Sequence, residues 1–164
     1  MHRATPLDNV EYLFYNASDE RTTNDQGSTP PWEETPVNRG YKPDAYASVS
    51  AYVVAHHAQR VIDFLRQTFD AEELRRFDKP DGSIMHAEVR IDDAIVMIAD
   101  SSGDCPAFPV WLHVYVPDVD ATYQRALTAG GVAVQEPTQK DDPDRRGGVR
   151  DPAGNTWWIA TQSG

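Results

Sequence analysis

The chain has 164 residues, with 15 Lys and Arg against 26 Asp and Glu and a formal net charge of −11. That length suits one domain, or one domain with an arm, and is enough to bury a core. The charge excludes nucleic acid and an anionic membrane as expected partners; it permits a cationic small molecule or a basic protein but proves neither, because most such charge is solvated surface.

Cys105 is the single cysteine, so neither a disulfide framework nor a thiolate metal cluster is expected. Its neighbours Asp104 and Pro106 supply no cation to activate the thiol. No apolar run has membrane-spanning length and the first residues lack a signal-type apolar region, so a cytoplasmic protein is expected.

Residues 1–45 read as an N-terminal extension or arm. Asn24 to Pro31 is polar, with Gly and Pro, and would not fold alone. Val10 to Tyr15 is aromatic enough to dock or to add a short strand, with Trp32 as a second anchor. Two readings stay open: a flexible extension, or an arm that covers a cleft or clasps a second subunit.

A first module spans about 46–101. Ala47 to Val54 alternates Ser48, Ser50 and Tyr52 against Val49, Ala51 and Val53, which predicts a half-buried strand. Val61, Ile62, Leu65 and Phe69 form one stripe of a helix over Ala58 to Phe69. Glu72 to Phe77 is a second strand, and Asp78 to Gly82 is a hairpin turn. Ser83 to Ile91 is a third strand with His86, Glu88 and Arg90 on one face, and Ala94 to Ala99 a fourth.

A second module spans about 110–162. Val110 to Val116 puts Trp111, His113 and Tyr115 on one strand face. A helix follows over Val119 to Ala129, capped by Asp118 or Asp120 and ended by Gly130-Gly131. Val132 to Gln135 is a short strand, and Glu136 to Arg146, charged and carrying two prolines, reads as a loop. Gly147 to Arg150 leads into the turn Asp151-Pro-Ala-Gly-Asn155, and Thr156 to Thr161 closes the sheet.

The two halves repeat. At a constant offset of 61, Ser50–Ala55 lies under Trp111–Val116, and Met97, Ile98 and Ala99 lie under Trp158, Ile159 and Ala160. Two copies of strand, helix and three strands point to a paired-module domain rather than a solenoid. With Asp81-Gly-Ser-Ile-Met-His-Ala-Glu88, Leu112 to Asp120 and Gly147-Gly-Val-Arg-Asp-Pro-Ala-Gly-Asn-Thr-Trp-Trp158, this resembles the vicinal oxygen chelate superfamily of glyoxalases, bleomycin-resistance proteins and dioxygenases, and within it the PhnB-like branch. The resemblance covers about 46–162. It implies an α+β fold of two βαβββ modules forming a curved mixed sheet around a cleft, and a homodimer, often with barrels built across subunits. A shared fold hosts many functions, so it implies no one reaction.

The metal-dependent relatives implied by this resemblance carry His, Glu or Gln at positions that fall here on Ser50, Met97, Trp111 and Trp158. A hydroxyl, a thioether and two indoles do not make a divalent site, so no metal and no cofactor are expected at that place. The face expected to line the cleft holds Ser48, Ser50, Tyr52, His86, Glu88, Arg90, Met97, Trp111, His113, Tyr115 and Trp158. His86, Glu88 and His113 suit acid–base work, with the alternative that they are hydrogen-bonded and structural. Ser50, Tyr52, Arg90, Met97, Trp111, Tyr115 and Trp158 are the expected substrate contacts, although Trp111 and Trp158 weigh towards core packing. His56-His57 at a turn would diverge rather than chelate. Arg145, Arg146 and Arg150 could receive an anion or pair with Asp141, Asp142, Asp144 and Asp151.

Three readings follow: a metal-free binding protein for a small organic molecule, serving resistance or sequestration; a metal-independent isomerase, lyase or cyclase using His, Glu and Tyr; or a dimer whose arm is the functional part. Metal-dependent lyase or dioxygenase chemistry at a non-standard site is a further alternative.

Overall fold

The computed structural model describes residues 40–139 and 141–162, and most of the arm, with Val10 to Tyr15 and Trp32, lies outside them. The order is β1 (Ala51–Ala55), α1 (Ala58–Phe69), β2 (Glu72–Asp78), β3 (Ile84–Ile91), β4 (Ala94–Asp100), β5 (Trp111–Tyr115), α2 (Val119–Thr128), β6 (Val132–Gln139), β7 (Asp144–Arg150) and β8 (Thr156–Gln162). Two four-stranded mixed sheets result, ordered β1-β4-β3-β2 and β5-β8-β7-β6. In each, the first strand runs parallel to the fourth and the other pairs are antiparallel. The parallel pair needs a long crossover, and the intervening helix begins it. This is the expected α+β fold of two βαβββ modules. No helix among the described residues is long and apolar enough to cross a membrane.

β1 starts at Ala51 rather than Ala47, because Val49 is 86% exposed and the alternation ahead of Ala51 buries nothing. Ser48 and Ser50 therefore precede the strand. The compact unit containing both modules begins at Val49, and residues 40–48 are turns and bends. Of the expected loop over Glu136 to Arg146, both ends are strand, β6 running to Gln139 and β7 starting at Asp144, while 141–143 are bends between them. Pro137 is tolerated there because β6 is an edge strand and the register breaks between Gln135 and Thr138, where no ladder N–H is required.

The repeat is real, but its offset is not constant. Tyr52 and Met97 pair as His113 and Trp158 do, at a spacing of 61, whereas Glu72↔Arg90 and Val132↔Arg150 match at 60. One residue is lost before β6 and regained in the longer β7–β8 turn. The edge-strand irregularity repeats too, between Glu73 and Arg75 and between Ala133 and Gln135. Leu74 and Val134 stand at these irregularities, each partly exposed.

Each helix start is satisfied differently. Asp118 caps α2 by accepting from the Ala121 N–H at 2.9 Å. α1 has His57 in the left-handed region at its start, with no side-chain cap; the Asp100 carboxylate accepts from Ala58 N–H and Ile84 N–H instead, both at 2.7 Å. Asp100 thereby ties α1, β3 and β4 together. One core serves both modules. Val53, Ile62, Leu65, Val89 and Ile98 share it with Val119, Tyr123, Val149, Trp157 and Ile159. Arg125 Nε donates to the Thr68 carbonyl at 3.0 Å, and the Phe69 and Trp157 rings lie 5.5 Å apart, so the modules meet on their helix side. Strand alternation turns the candidate residues to the other face of each sheet.

Candidate functional site

The first module's face carries a chain of polar groups. Tyr52 Oη lies 3.2 Å from His86 Nδ1, and His86 Nε2 lies 3.2 Å from Glu88 Oε1. Arg75 Nη1, from β2, lies 3.7 Å from the same Glu88 oxygen. His86 and Glu88 are buried, and Tyr52 is the more exposed end. Register explains the assembly: Tyr52 pairs with Met97 across β1–β4, Met97 with Glu88 across β3–β4, and Glu88 with Arg75 across β2–β3. A Glu88 carboxylate accepts from Nε2–H, and the Tyr52 hydroxyl can either donate to Nδ1 or accept from it. Burial pushes the Tyr52 hydroxyl above its ordinary value of 10.0, with the Cys105 thiol adding to the rise.

The second module's face is aromatic and open. Trp111 is 75% exposed and Tyr115 60%. Trp111 meets Trp158 at 5.9 Å, rings 64° apart, and His113 lies 4.8 Å from Tyr115. The expectation that Trp111 is core is corrected: the core indole is Trp157, one position from Trp158 and on the opposite strand face. Tyr115 Oη donates to Asp144 Oδ2 at 3.0 Å, a bond that raises the Tyr115 pKa. Gly148 pairs with Trp158, and a Cβ there would stand 2.8 Å from the Trp158 ring, so only glycine lets that indole lie across β7.

The structure brings Tyr52, His86 and Glu88 together beside Met97, and Trp111, His113, Tyr115 and Trp158 on the other sheet. Ser50 sits partly exposed just ahead of β1. Arg90 pairs with Glu72 on the surface. The ring of His113 lies against Tyr115, and that of His86 against Tyr52. His56 contacts Ser101 Oγ at 2.7 Å and is not paired with His57. Arg145 pairs with Asp120, and Arg146 with Asp142 and Asp144, so both sit in carboxylate pairs. Sequence reasoning missed Arg75, Gly148 and the bond of Asp144 to Tyr115, although it offered Asp144 as a partner for the arginines, which Arg146 takes up. The Gly147-Gly148 pair inside a strand was the one available signal, since glycine there marks close approach. Among the described residues, no three His, Cys, Asp or Glu converge on a point that could hold a metal. The hydroxyl, thioether and indoles at Ser50, Met97, Trp111 and Trp158 likewise do not fit a divalent ion.

Paired βαβββ modules joined on their helix side, with the opposite sheet faces bearing polar and aromatic side chains, define the class of protein. The chain belongs to the glyoxalase/bleomycin resistance protein/dioxygenase superfamily, whose family model matches residues 47–159. An uncharacterised protein of Mycobacterium bovis is 38% identical over 126 residues, covering 68% of this chain and 81% of that one. TioX from Micromonospora sp. ML1 superposes with a TM-score of 0.57 at 26% identity, over 70% of this chain and 98% of TioX. TnmS3, an antibiotic binding protein from Streptomyces sp. CB03234, has a TM-score of 0.55 at 20% identity, over 71% of this chain and 98% of its own. That likeness shows the fold.

Proposed function

We propose that this protein binds a small organic molecule in a metal-free cleft, in sequestration or resistance, as a PhnB-like member of its superfamily. The observation that carries this reading is Trp111, 75% exposed and set edge-on against Trp158. An indole left open on a folded sheet face is apolar area that a ligand or a partner would cover. A fold that serves TnmS3 in antibiotic binding is suited to the task. A second copy of the chain completes the cleft, so the functional species is a homodimer. Native mass spectrometry of the protein isolated from its own cells tests this. A small organic mass is expected on the dimer and lost in the Trp111→Ala, Trp158→Ala double variant. A monomer without adduct, or an adduct that survives the double change, would contradict it.

The Tyr52–His86–Glu88 chain favours a second reading: proton transfer by a metal-independent isomerase, lyase or cyclase. Glu88→Gln would then abolish turnover of the isolated ligand while leaving its affinity intact. Turnover unchanged by that substitution would remove the reading.

A further inference from the structure

The end of the first sheet holds a serine and a histidine in contact, a feature independent of the small-molecule reading above. Ser101 Oγ lies 2.7 Å from His56 Nδ1. Each residue stands one position past the pairing of Ala55 with Asp100, where β1 and β4 run parallel, and the Ser101 N–H donates to the Ala55 carbonyl at 3.0 Å. Two paired strand ends therefore fix the positions of both. Asp100 adds a strut. Its two carboxylate oxygens accept from Ala58 N–H and Ile84 N–H, which braces the start of α1 and the start of β3 beside the pair. Ser101 and His56 line a polar cavity of about 540 Å³, walled also by Gln59 of α1, Arg76 of β2 and Ser83 of the β2–β3 turn. That cavity shares no residue with the Trp111–Trp158 face. Ser101 is partly exposed and His56 exposed, so a small molecule in the cavity reaches both.

The duplication supplies a control. At the offset of 61 that matches β1 and β4 with β5 and β8, His56, His57 and Ser101 fall on Pro117, Asp118 and Gln162. There Asp118 is a plain helix cap. The second module folds without a serine–imidazole pair, so the fold does not require one. A hydroxyl within about 2.6–3.2 Å of an imidazole nitrogen is the arrangement of a serine nucleophile and its base. We propose that Ser101 is an acyl acceptor with His56 as its base, acting on esters of short, polar acids, which suit the polar walls. The step uses the imidazole tautomer with its hydrogen on Nε2. Oγ bonds to the ester carbonyl carbon as its proton passes to Nδ1. The carbon–oxygen bond to the alcohol breaks, and the alcohol takes that proton. Water then gives a proton to Nδ1 as its oxygen bonds to the acyl carbon, and Oγ leaves and recovers the proton. Ester and water become acid and alcohol.

The test adds excess p-nitrophenyl acetate to the full chain in mildly alkaline buffer. Release of p-nitrophenolate should show a burst of one equivalent per chain, and peptide mass mapping should place the acetyl group on Ser101. Ser101→Ala should remove the burst. His56→Gln should slow it about a hundredfold, the lower end of what a general base contributes. Ser83→Ala, on the same wall but bonded to Asp81, should leave it unchanged. Far-UV circular dichroism checks that each variant folds; where one does not, the mapping on the unaltered chain decides alone. No burst, an acetyl group on His57 or a lysine instead of Ser101, or a His56→Gln burst as fast as wild type would overturn the assignment. The pair would then be a structural bond between two strand ends.

Discussion

Gly148 and Trp158 show how one residue shapes a face. A methyl group at position 148 would enter the indole, so Gly148→Ala should swing Trp158 out of its place against Trp111. Forcing bulk into a packed site costs about 1–3 kcal/mol. The near-UV circular dichroism of the indoles should change while the far-UV signal is kept; an unchanged near-UV band would show that the ring does not rest there. Tyr52 gives the residue-scale prediction for pH. Burial raises its folded pKa above 10.0. Its contribution to stability is therefore complete below the unfolded value and is lost as pH rises through the folded one. In a titration of tyrosinate absorbance, wild type minus Tyr52→Phe should show a phenol with a midpoint above 10; a midpoint at or below it would contradict the burial argument. At this scale, His86 and Glu88 were legible because residues two apart share a strand face. Arg75 and the Tyr115 bond of Asp144 were not. Their partners lie on other strands, and the register that joins Arg75 to Glu88 passes an irregularity at Leu74 that no local pattern announces.

The elements were legible where periodicity or turn chemistry is strong. α1 has the bounds its apolar stripe gives, and Asp118 is the cap of α2. Asp118→Ala should cost about 1 kcal/mol in urea unfolding; no loss would mean that water or Asp120 serves the amide equally well. The β7–β8 turn is held more tightly. Asp151 is buried and accepts from Ala153 N–H, Asn155 N–H, Asn155 Nδ2 and Trp157 Nε1. It fixes the turn and the core indole together. Asp151→Ala orphans several buried donors at once, for a cost of roughly 3–5 kcal/mol, with Asp151→Asn intermediate. A cost near 1 kcal/mol would show that the turn relaxes around the loss. β6 and β7 were read too short, at Val132 to Gln135 and Gly147 to Arg150, because charge and proline density describe an exposed edge strand as well as they describe a loop.

For the whole molecule, duplication was the decisive signal, since two copies of one module leave few ways to build a domain. The drift of its offset from 61 to 60 and back was hidden, because the module ends align and only the paired registers reveal the shift. The exposure of Trp111 was hidden for a related reason: alternation says which side chains share a face, and says nothing of what covers that face. The account turns on a cleft that holds an organic molecule without gripping a divalent ion. Thermal unfolding against a panel of flat organic compounds, with EDTA throughout and then with Zn²⁺, Mn²⁺ or Ni²⁺ restored, tests it most directly. A ligand at about a hundred times its Kd adds roughly 2.7 kcal/mol, a rise in Tm of several degrees. The account predicts that rise in EDTA, unaltered by the ions. A rise that appears only when an ion is present, or that the ion produces alone, would contradict it.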